Sequence, residues 1–365
     1  MKNSIGENLT VTLFGESHGP YIGVVLDGLA PGIEVNNDFI SHQLDLRRPS
    51  GKISTGRVEL DEYIIASGVF NGKTTGTPLT IIIPNSNTHS KDYSKLSLLA
   101  RPGHADYTAE VKYHGFQDYR GGGHFSGRLT AALVAAGGIV IPALKEKGII
   151  IGTHIKSLGG IKDRDFSDYQ TDIEKLGKEK FAVLDPDKAS QMLSCAEHAA
   201  SLGDSVGGVL ETAIAGLPAG IGEPWFDTLE GRLSYAMFSI PAVKGVQFGS
   251  GFDLVDSSGS QFNDEFRMQD GKVVTTTNNN GGINGGISNG MPVLFRCAVK
   301  PTASIYKEQN TINMKEKTDA KLLIEGRHDP AIIHRARVVV DSMAALVIYD
   351  SLAGRYGTDF FCPQK

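Results

Sequence analysis

Two short stretches of the sequence combine residue types that can do acid–base chemistry. The segment RPGHADYT, residues 101–108, brings a cation, an imidazole, a carboxylate and a phenol together. A second imidazole, His18, lies between loop glycines in FGESHG, residues 14–19, at the end of an alternating apolar pattern. Histidines and carboxylates in such loops are typical general acids and bases. By itself, FGESHG is equally typical of an exposed turn.

Three consecutive glycines, Gly121 to Gly123, lead into an apolar helical pattern predicted over residues 126–147. Glycine loses more backbone entropy on folding than any other residue, so the triplet indicates a close approach of the backbone to another group. The following helix would direct its unpaired N–H groups and positive dipole end to the same place. An anion is the natural ligand there. The alternative is a tight helix-packing turn.

Four cations, Arg47, Arg48, Lys52 and Arg57, fall close together in a chain whose formal net charge is −5. A solvated surface loop is the ordinary explanation of such a run. The acidic balance argues against a general nucleic-acid or membrane surface, but it leaves room for a local basic cavity.

The cysteines and the apolar segments limit the class of protein. Cys195, Cys297 and Cys362 are far apart and odd in number, which indicates neither a disulfide framework nor a metal site and fits a reducing cytoplasm. The N-terminus lacks an apolar signal core, and the segment 131–144 is interpreted as too short and too broken by glycine to span a bilayer. We therefore expect a cytoplasmic protein.

Nucleotide-binding motifs are incomplete. The segment GVFNGKT, residues 68–74, has one residue too few between its glycines for a P-loop, and the β-branched residues after it predict a strand rather than the required helix. No GxGxxG fingerprint follows a predicted strand.

Periodicity predicts a mixture of helices and strands. The segment 156–187 is interpreted as a solvated cover, 259–290 as an ordered ligand loop, and Asp329 as the cap of the last helix. Strands are predicted at 9–13, 21–27 and 291–299, with several more broken by turns in 58–83 and one in the second part of 200–215. Helices are predicted at 37–46, 126–147, 169–178, 224–238 and 331–352.

Taken together, the motifs resemble those of the chorismate synthase family, in the family's order and over residues 5–350. They are FGESHG, the arginine-rich loop, SGVFNGKTTGTP, RPGHADYT, RGGG, GDSVGG, AVKG, NNNGGINGGISNG, KPTAS and GRHDP. The resemblance implies elimination of phosphate and a proton from 5-enolpyruvylshikimate 3-phosphate to give chorismate. It also implies a requirement for reduced FMN, although the reaction has no net redox change.

The resemblance implies an α+β fold, a β-α-β sandwich with a helical layer covered by sheets, assembled as a homotetramer. We expect one domain over residues 1–365 with a short flexible tail at 354–365. The length leaves no room for a flavin-reductase domain, so reduced FMN is expected from an external source.

Carried over by position, three residues are expected to be catalytic. His18 resembles the acid that protonates the leaving phosphate, His104 the partner that manages protonation of the flavin, and Asp329 the carboxylate that helps flavin N5 accept the substrate proton. The substrate-binding residues implied are Arg47, Arg48, Lys52, Arg101 and Arg128. In members that reduce their own flavin, the loop with Arg47 and Lys52 is also associated with NADPH. The flavin contacts implied are His124, Phe125, Ser126, Pro241, Ala242, Gly285, Lys300, Pro301, Thr302, Ala303, Ser304 and Arg327.

The sequence departs from the family pattern at two places. His124 and Phe125 stand where many members have Arg-Ser, so an imidazole replaces an arginine and is expected to act as a neutral donor. Lys52 stands where arginine is usual, and lysine keeps the charge but loses the bidentate geometry.

Two other functions are consistent with the individual motifs. A flavin oxidoreductase would use the same cofactor on a redox substrate, and a phosphate-binding regulatory protein would hold the ester without releasing phosphate. A chorismate synthase would release phosphate only with reduced FMN, whereas neither of the other two proteins would do so.

Overall fold

The computed structural model describes residues 2–49, 51, 53–54, 61–86, 98–324 and 328–363. Strands and helices are numbered separately in chain order. The strands are β1 Ser4–Ile5, β2 Thr10–Gly15, β3 Tyr21–Asp27, β4 Ile64–Ser67, β5 Val69–Phe70, β6 Lys73–Thr74, β7 Leu79–Pro84, β8 Ile150–Leu158, β9 Ile161–Lys162, β10 Gly208–Ala215, β11 Val243–Phe248, β12 Phe266–Gln269, β13 Lys272–Thr275, β14 Ile283–Asn284, β15 Ile287–Ser288, β16 Val293–Val299, β17 Gln309–Asn313 and β18 Thr318–Leu322. The helices are α1 Asn37–Arg47, α2 Asp106–Tyr113, α3 Thr130–Glu146, α4 Tyr169–Leu176, α5 Pro186–Ser201, α6 Leu229–Ser239, α7 Gly259–Phe262 and α8 Ile333–Tyr356.

Two five-stranded antiparallel sheets form the outer layers. The first has the order β1-β2-β3-β7-β4 and the second the order β11-β16-β10-β8-β9. In β3, Ile22, Val24 and Leu26 are buried and pair with β7, whose alternate residues are also buried. This period of two explains why the strands could be recognised from the sequence.

The helices α1, α3 and α8 lie between the two sheets. Helix α3 packs against β3 and β7 of the first sheet, and α8 packs against β8 and β10 of the second. Sheets therefore cover a helical layer on both sides, which confirms the predicted β-α-β sandwich. Most buried apolar side chains of the described residues belong to one cluster, and the single domain over residues 1–365 stays a prediction.

Glycine lets the central helices approach closely. A Cβ atom on Gly137 of α3 would lie 2.4 Å from the Ser342 side chain of α8, so only glycine fits at this crossing. The helical stretch over residues 127–146 is long and apolar enough, by length and composition alone, to cross a membrane. The segment 131–144 considered in the sequence is the middle of this longer stretch. Most of it is buried inside the protein, because the two sheets and α8 cover it.

The segment 156–187 is more than a solvated cover. It begins in the sheet strand β8 and continues past the buried Asp163, which accepts a hydrogen bond from the buried His154 at 2.8 Å. Asp172 is also buried, and Arg164 binds both of its oxygens at 2.6 and 2.9 Å. The high charge content misled the prediction, because these carboxylates are buried with hydrogen-bond partners.

Two further boundaries differ from the prediction. Helix α6 begins at Leu229 rather than near Pro224, because Trp225 and Asp227 have positive φ angles of 68° and 58°, which a helix cannot include. Helix α8 extends to Tyr356, into the tail predicted to be flexible. After α8, Phe361 is buried and stacks on Tyr349 with ring centroids 3.9 Å apart. The flexibility of the tail stays a prediction.

Candidate active site

A cavity of about 1080 Å³ opens beside the N-terminal end of α3. It is bordered by the glycine turn before α3, the start of α2, the end of α1, the segment after β16 and the start of α8. These parts of the chain are distant in sequence, and the sandwich brings their ends together. The predicted site residues that line it are Arg47, Arg101, His104, His124, Phe125, Ser126, Arg128, Pro241, Ala242, Lys300, Pro301, Thr302, Ala303 and Asp329.

The glycine triplet packs directly against the His18 side chain. Gly121 has a φ of 58°, and a Cβ atom there would lie 2.2 Å from His18 Cε1, so the turn lies directly against the buried imidazole. The close approach that the glycines predicted is therefore, at Gly121, an approach to His18. His18 itself is not among the residues that line the cavity, whereas Gly121 and Gly122 are.

Hydrogen bonds fix which His18 nitrogen carries a proton. Ser17 Oγ donates to the Arg120 carbonyl at 3.1 Å and lies 3.1 Å from His18 Nδ1. Because the serine proton is used on the carbonyl, Nδ1 must donate to Ser17. His18 can therefore deliver a second proton, through Nε2, only as the imidazolium.

His104 lies in a group of cations at the start of α2. Its Nε2 atom is 2.8 Å from Ser304 Oγ. The ring stays open to the cavity, but desolvation by the surrounding protein and then the Arg101 charge lower its pKa to about 4. Asp106 opposes this shift, and Lys300 and His328 add smaller contributions that lower the pKa. His104 is therefore a neutral imidazole near neutral pH in the free protein.

Arg101 is oriented by a carboxylate. Its Nε and Nη2 atoms donate to the two Asp106 oxygens, each at 2.7 Å, and its backbone N–H donates to the same group at 2.9 Å. Burial raises the pKa of Asp106, but the hydrogen bonds and charge of Arg101 outweigh burial and lower it below its usual value. The pair fixes the guanidinium beside His104.

Arg47 and Arg128 share one buried counter-ion, Asp61. Arg47 Nη1 lies 3.3 Å from Asp61 Oδ2, and Arg128 Nη1 binds Asp61 Oδ1. Arg47 Nε also donates to Thr130 Oγ1 at 2.9 Å, and Arg128 Nε to Asn85 Oδ1 at 3.1 Å. The sequence interpretation missed Asp61, Thr130 and Asn85. The only sequence signal for Asp61 as a counter-ion is that acidic residues follow the basic loop.

Asp329 does not cap α8 with its side chain, contrary to the prediction. The helix has no side-chain cap, and Asp329 Oδ2 instead accepts a hydrogen bond from Arg335 Nη1 at 2.6 Å. Arg335 Nε donates to the Arg47 carbonyl at 3.0 Å. A guanidinium competes well with helix N–H groups for a carboxylate, because both partners are charged.

The segment after β16 forms the opposite wall. Lys300 Nζ donates to the Gly103 carbonyl at 2.5 Å, and the Lys300 backbone N–H donates to the Ala242 carbonyl at 3.0 Å. Ala242 has a φ of 76°, which is rare for a residue with a side chain. Thr302 Oγ1 is buried and has no hydrogen-bond partner among the described residues.

His124 differs from its expected role. Its Nδ1 atom is 2.8 Å from the Gly15 carbonyl oxygen, which can only accept, so Nδ1 carries the hydrogen. In the neutral ring Nε2 is then an acceptor, and the one N–H of the ring is used on the Gly15 carbonyl. Only the imidazolium would offer Nε2–H to an anion. Phe125 packs edge-to-face on Tyr113, with ring centroids 6.0 Å apart.

Several predicted residues lie outside the cavity lining. Arg48 instead pairs with Asp45 at 3.6 Å. Gly285 lies in the turn between β14 and β15, where its φ of 61° accounts for the glycine. Ser304 reaches the site through its hydrogen bond to His104. Lys52 and Arg327 lie outside the described residues.

Comparisons with known proteins agree with this arrangement. The profile of the chorismate synthase family matches residues 9–353. The chorismate synthase of Pyrococcus abyssi is 44% identical over 350 residues, which is 96% of this chain and 97% of that protein. The chorismate synthase of Lachnoclostridium phytofermentans is 47% identical over 360 residues, 96% of this chain and 95% of that protein.

A solved structure described as the crystal structure of a chorismate synthase superimposes with a TM-score of 0.76 and 29% identity, covering 97% of this chain and 94% of that one. The fold and nearly the whole length of the chain are thus shared with the same group of enzymes. The chain belongs to the chorismate synthase family.

Proposed function

We propose how the cavity performs the family's reaction, in which 5-enolpyruvylshikimate 3-phosphate loses phosphate and a proton to form chorismate. This carbon–oxygen lyase reaction is the activity of the chain and the last common step of the shikimate pathway to aromatic amino acids. The observation that supports the mechanism is the convergence of Arg47, Arg101, Arg128, His104 and Asp329 on one cavity, with His18 behind the glycine turn.

The cavity residues fit a phosphorylated flavin. The buried Thr302 hydroxyl has no hydrogen-bond partner in the described part of the chain and can bind a polar atom of a ligand, and Lys300 supplies a cation nearby. We propose that FMN is held by His124 to Ser126, Pro241 and Ala242, and Lys300 to Ser304. Gly285 and Arg327 remain proposed contacts on the family resemblance alone. The chemistry that reduced FMN supplies when bound is transient electron donation to the reacting allylic system.

His18 is proposed as the general acid. Phosphate leaves poorly as a full dianion, so a proton delivered to it lowers the barrier. The Ser17 contact occupies Nδ1, and so His18 acts from Nε2 as the imidazolium, a form that a bound phosphate favours.

His104 and Asp329 are proposed to handle the other proton. His104 is neutral in the free protein and can accept a proton from a ligand that it contacts. Asp329, held by Arg335, is an oriented carboxylate on the α8 side of the cavity. Arg47, Arg101 and Arg128 would bind the anionic groups of the substrate, and we extend this role to Arg48 and Lys52 only on the family resemblance.

We further propose a cytoplasmic homotetramer that takes reduced FMN from an external source and binds neither nucleic acid nor membrane. Large exposed aromatic side chains support association between copies, since Phe116, Trp225 and Phe226 are each more than 80% exposed in the single chain. NADPH binding at Arg47 and Lys52 stays a prediction.

Anaerobic release of phosphate from 5-enolpyruvylshikimate 3-phosphate, with and without reduced FMN, tests the proposal. We expect release only with reduced FMN, and His18→Ala should lower turnover by roughly two to four orders of magnitude with little change in substrate binding. Full activity with a flavin analogue that cannot donate an electron would contradict the mechanism, whatever the histidine variant does.

A further inference from the structure

Asp61 lies where a ligand anion would compete with it. Its side chain is only 1% exposed, yet the residue borders the cavity. Both carboxylate oxygens are used on guanidinium groups, one on Arg47 and the other on Arg128. These are two of the arginines proposed to bind the substrate phosphate.

The remaining contacts of the two arginines leave few donors for a ligand. Arg47 also donates to Thr130 Oγ1 and, through Nη2, to the Gly127 carbonyl at 2.8 Å. Arg128 also donates to Asn85 and to the Pro84 carbonyl at 3.3 Å. Several of their N–H donors are thus used on neutral groups of the protein, and among the described residues Asp61 is a negative group that binds both side chains.

A carboxylate and a phosphate compete for the same guanidinium donors and repel each other. We propose that Asp61 is the internal counter-ion of the phosphate subsite and a positioning residue for the reaction. It orients Arg47 and Arg128, and it weakens their hold on phosphate enough for the product to leave. This inference rests on the proposed placement of the substrate phosphate at these two arginines.

The test uses Asp61→Asn, which keeps the shape of the side chain and removes its charge. The full-length variant is titrated with inorganic phosphate by calorimetry at low and high salt. Its kcat, KM and inhibition by phosphate are then measured anaerobically with reduced FMN. We expect phosphate to bind roughly tenfold more tightly, with a steeper salt dependence, since one negative charge beside the subsite is gone. KM should fall, and kcat should fall with it as phosphate release slows.

Two other variants make the result specific. Arg128→Gln should weaken phosphate binding, which tests the placement of the phosphate by itself. Asp172→Asn breaks another buried carboxylate–arginine pair outside the cavity lining, and it should lower stability without changing phosphate affinity. If Asp61→Asn does not fold, the charge-balanced double variant Asp61→Asn/Arg128→Gln takes its place, and it should bind phosphate more tightly than Arg128→Gln alone.

The results distinguish the role of Asp61 from the placement of the substrate phosphate at the two arginines. Weaker or unchanged phosphate binding in Asp61→Asn, together with weaker binding in Arg128→Gln, would overturn the role of Asp61 and leave the arginine site intact. Unchanged binding in Arg128→Gln would overturn the placement of the phosphate, and the inference with it. Equal phosphate affinities for the double variant and Arg128→Gln alone would also overturn the role of Asp61.

Discussion

At the scale of single residues, the site depends on histidines with different environments. His18 is buried behind Gly121 and has Nδ1 committed to Ser17. His104 is open to the cavity, and its pKa is lowered to about 4 by desolvation and by Arg101. In the proposed mechanism His18 donates a proton from Nε2 and His104 accepts one, which is the division of roles that an elimination needs.

We expect His104→Gln to lower turnover by about two to four orders of magnitude, because the variant keeps a hydrogen bond to Ser304 but cannot accept a proton. His104 stays neutral in the free enzyme until the pH falls toward its pKa of about 4. Protonation of His104 should therefore not lower the kcat/KM of the wild type between pH 8 and 5. An imidazole of ordinary pKa would be mostly protonated, and inactive as a base, at pH 5.

Anaerobic kinetics with reduced FMN across this pH range provide the measurement. His42→Gln is the matched control, because His42 contacts the Gly177 carbonyl and does not line the cavity. A kcat/KM that falls through pH 6.5 in the wild type and becomes flat in His104→Gln would contradict the lowered pKa.

At the scale of elements, helix α8 anchors the basic loop that follows α1. His334 in the first turn of α8 is buried, and its Nε2 atom lies 2.9 Å from Ser54 Oγ. Burial, and then the charge of Arg335, lower the pKa of His334 to about 4. The same helix carries Arg335, which binds both Asp329 and the Arg47 carbonyl. One helix end thus holds two sides of the cavity.

The anchor predicts a pH-dependent stability. Unfolded His334 takes up a proton below its ordinary pKa of 6.5, whereas the folded residue resists protonation down to about 4. The unfolded state therefore binds more protons between pH 6.5 and 4, and the free energy of unfolding falls as the pH falls through this window. Replacing His334 by Gln should make the dependence shallower. Urea unfolding at pH 7 and pH 5 measures how much the free energy of unfolding changes with pH. An equal change in the wild type and the variant would exclude a contribution from His334.

Ser54 allows the loop to be tested from its other side. Ser54→Ala removes the hydroxyl and should cost about 1 kcal/mol of unfolding free energy and raise the KM for the substrate, because the loop loses its contact with α8. Ser54→Thr keeps the hydroxyl and is the control. A KM that is equal in both variants and the wild type would show that the anchor does not position the site.

At the scale of the whole molecule, assembly remains to be measured. We expect about four chains per particle by light scattering at micromolar concentration, with closed symmetry. Trp225 is the only tryptophan of the sequence and is 89% exposed in the single chain. Its emission should shift to the blue on association if its loop lies in an interface. A stable monomer with full activity would contradict the tetramer.

The local pattern of the sequence was sufficient for several elements, but strand β8 and helix α5 were not predicted. Strand β3 was predicted at its observed bounds and α1 within one residue, because alternating apolar residues and the Asn36 cap are local signals. The predicted start of α6 was wrong, because Trp225 and Asp227 have positive φ angles. Glycine is the usual sequence signal for such angles, and neither residue is glycine. The buried carboxylates Asp163 and Asp172 were also missed, since charge alone predicts exposure.

The motifs of the sequence were enough to identify the family, and most of the site residues predicted from them line the cavity, because each motif is a short local string. Only the tertiary structure decided how those residues act. It brought Asp61 between Arg47 and Arg128 and set Gly121 against His18. It also surrounded His104 with protein that desolvates the ring and with the Arg101 charge, and both lower its pKa. Pairing, burial and pKa depend on groups that are far apart in the chain, and the distances between them exist only after the sheets close over the helices.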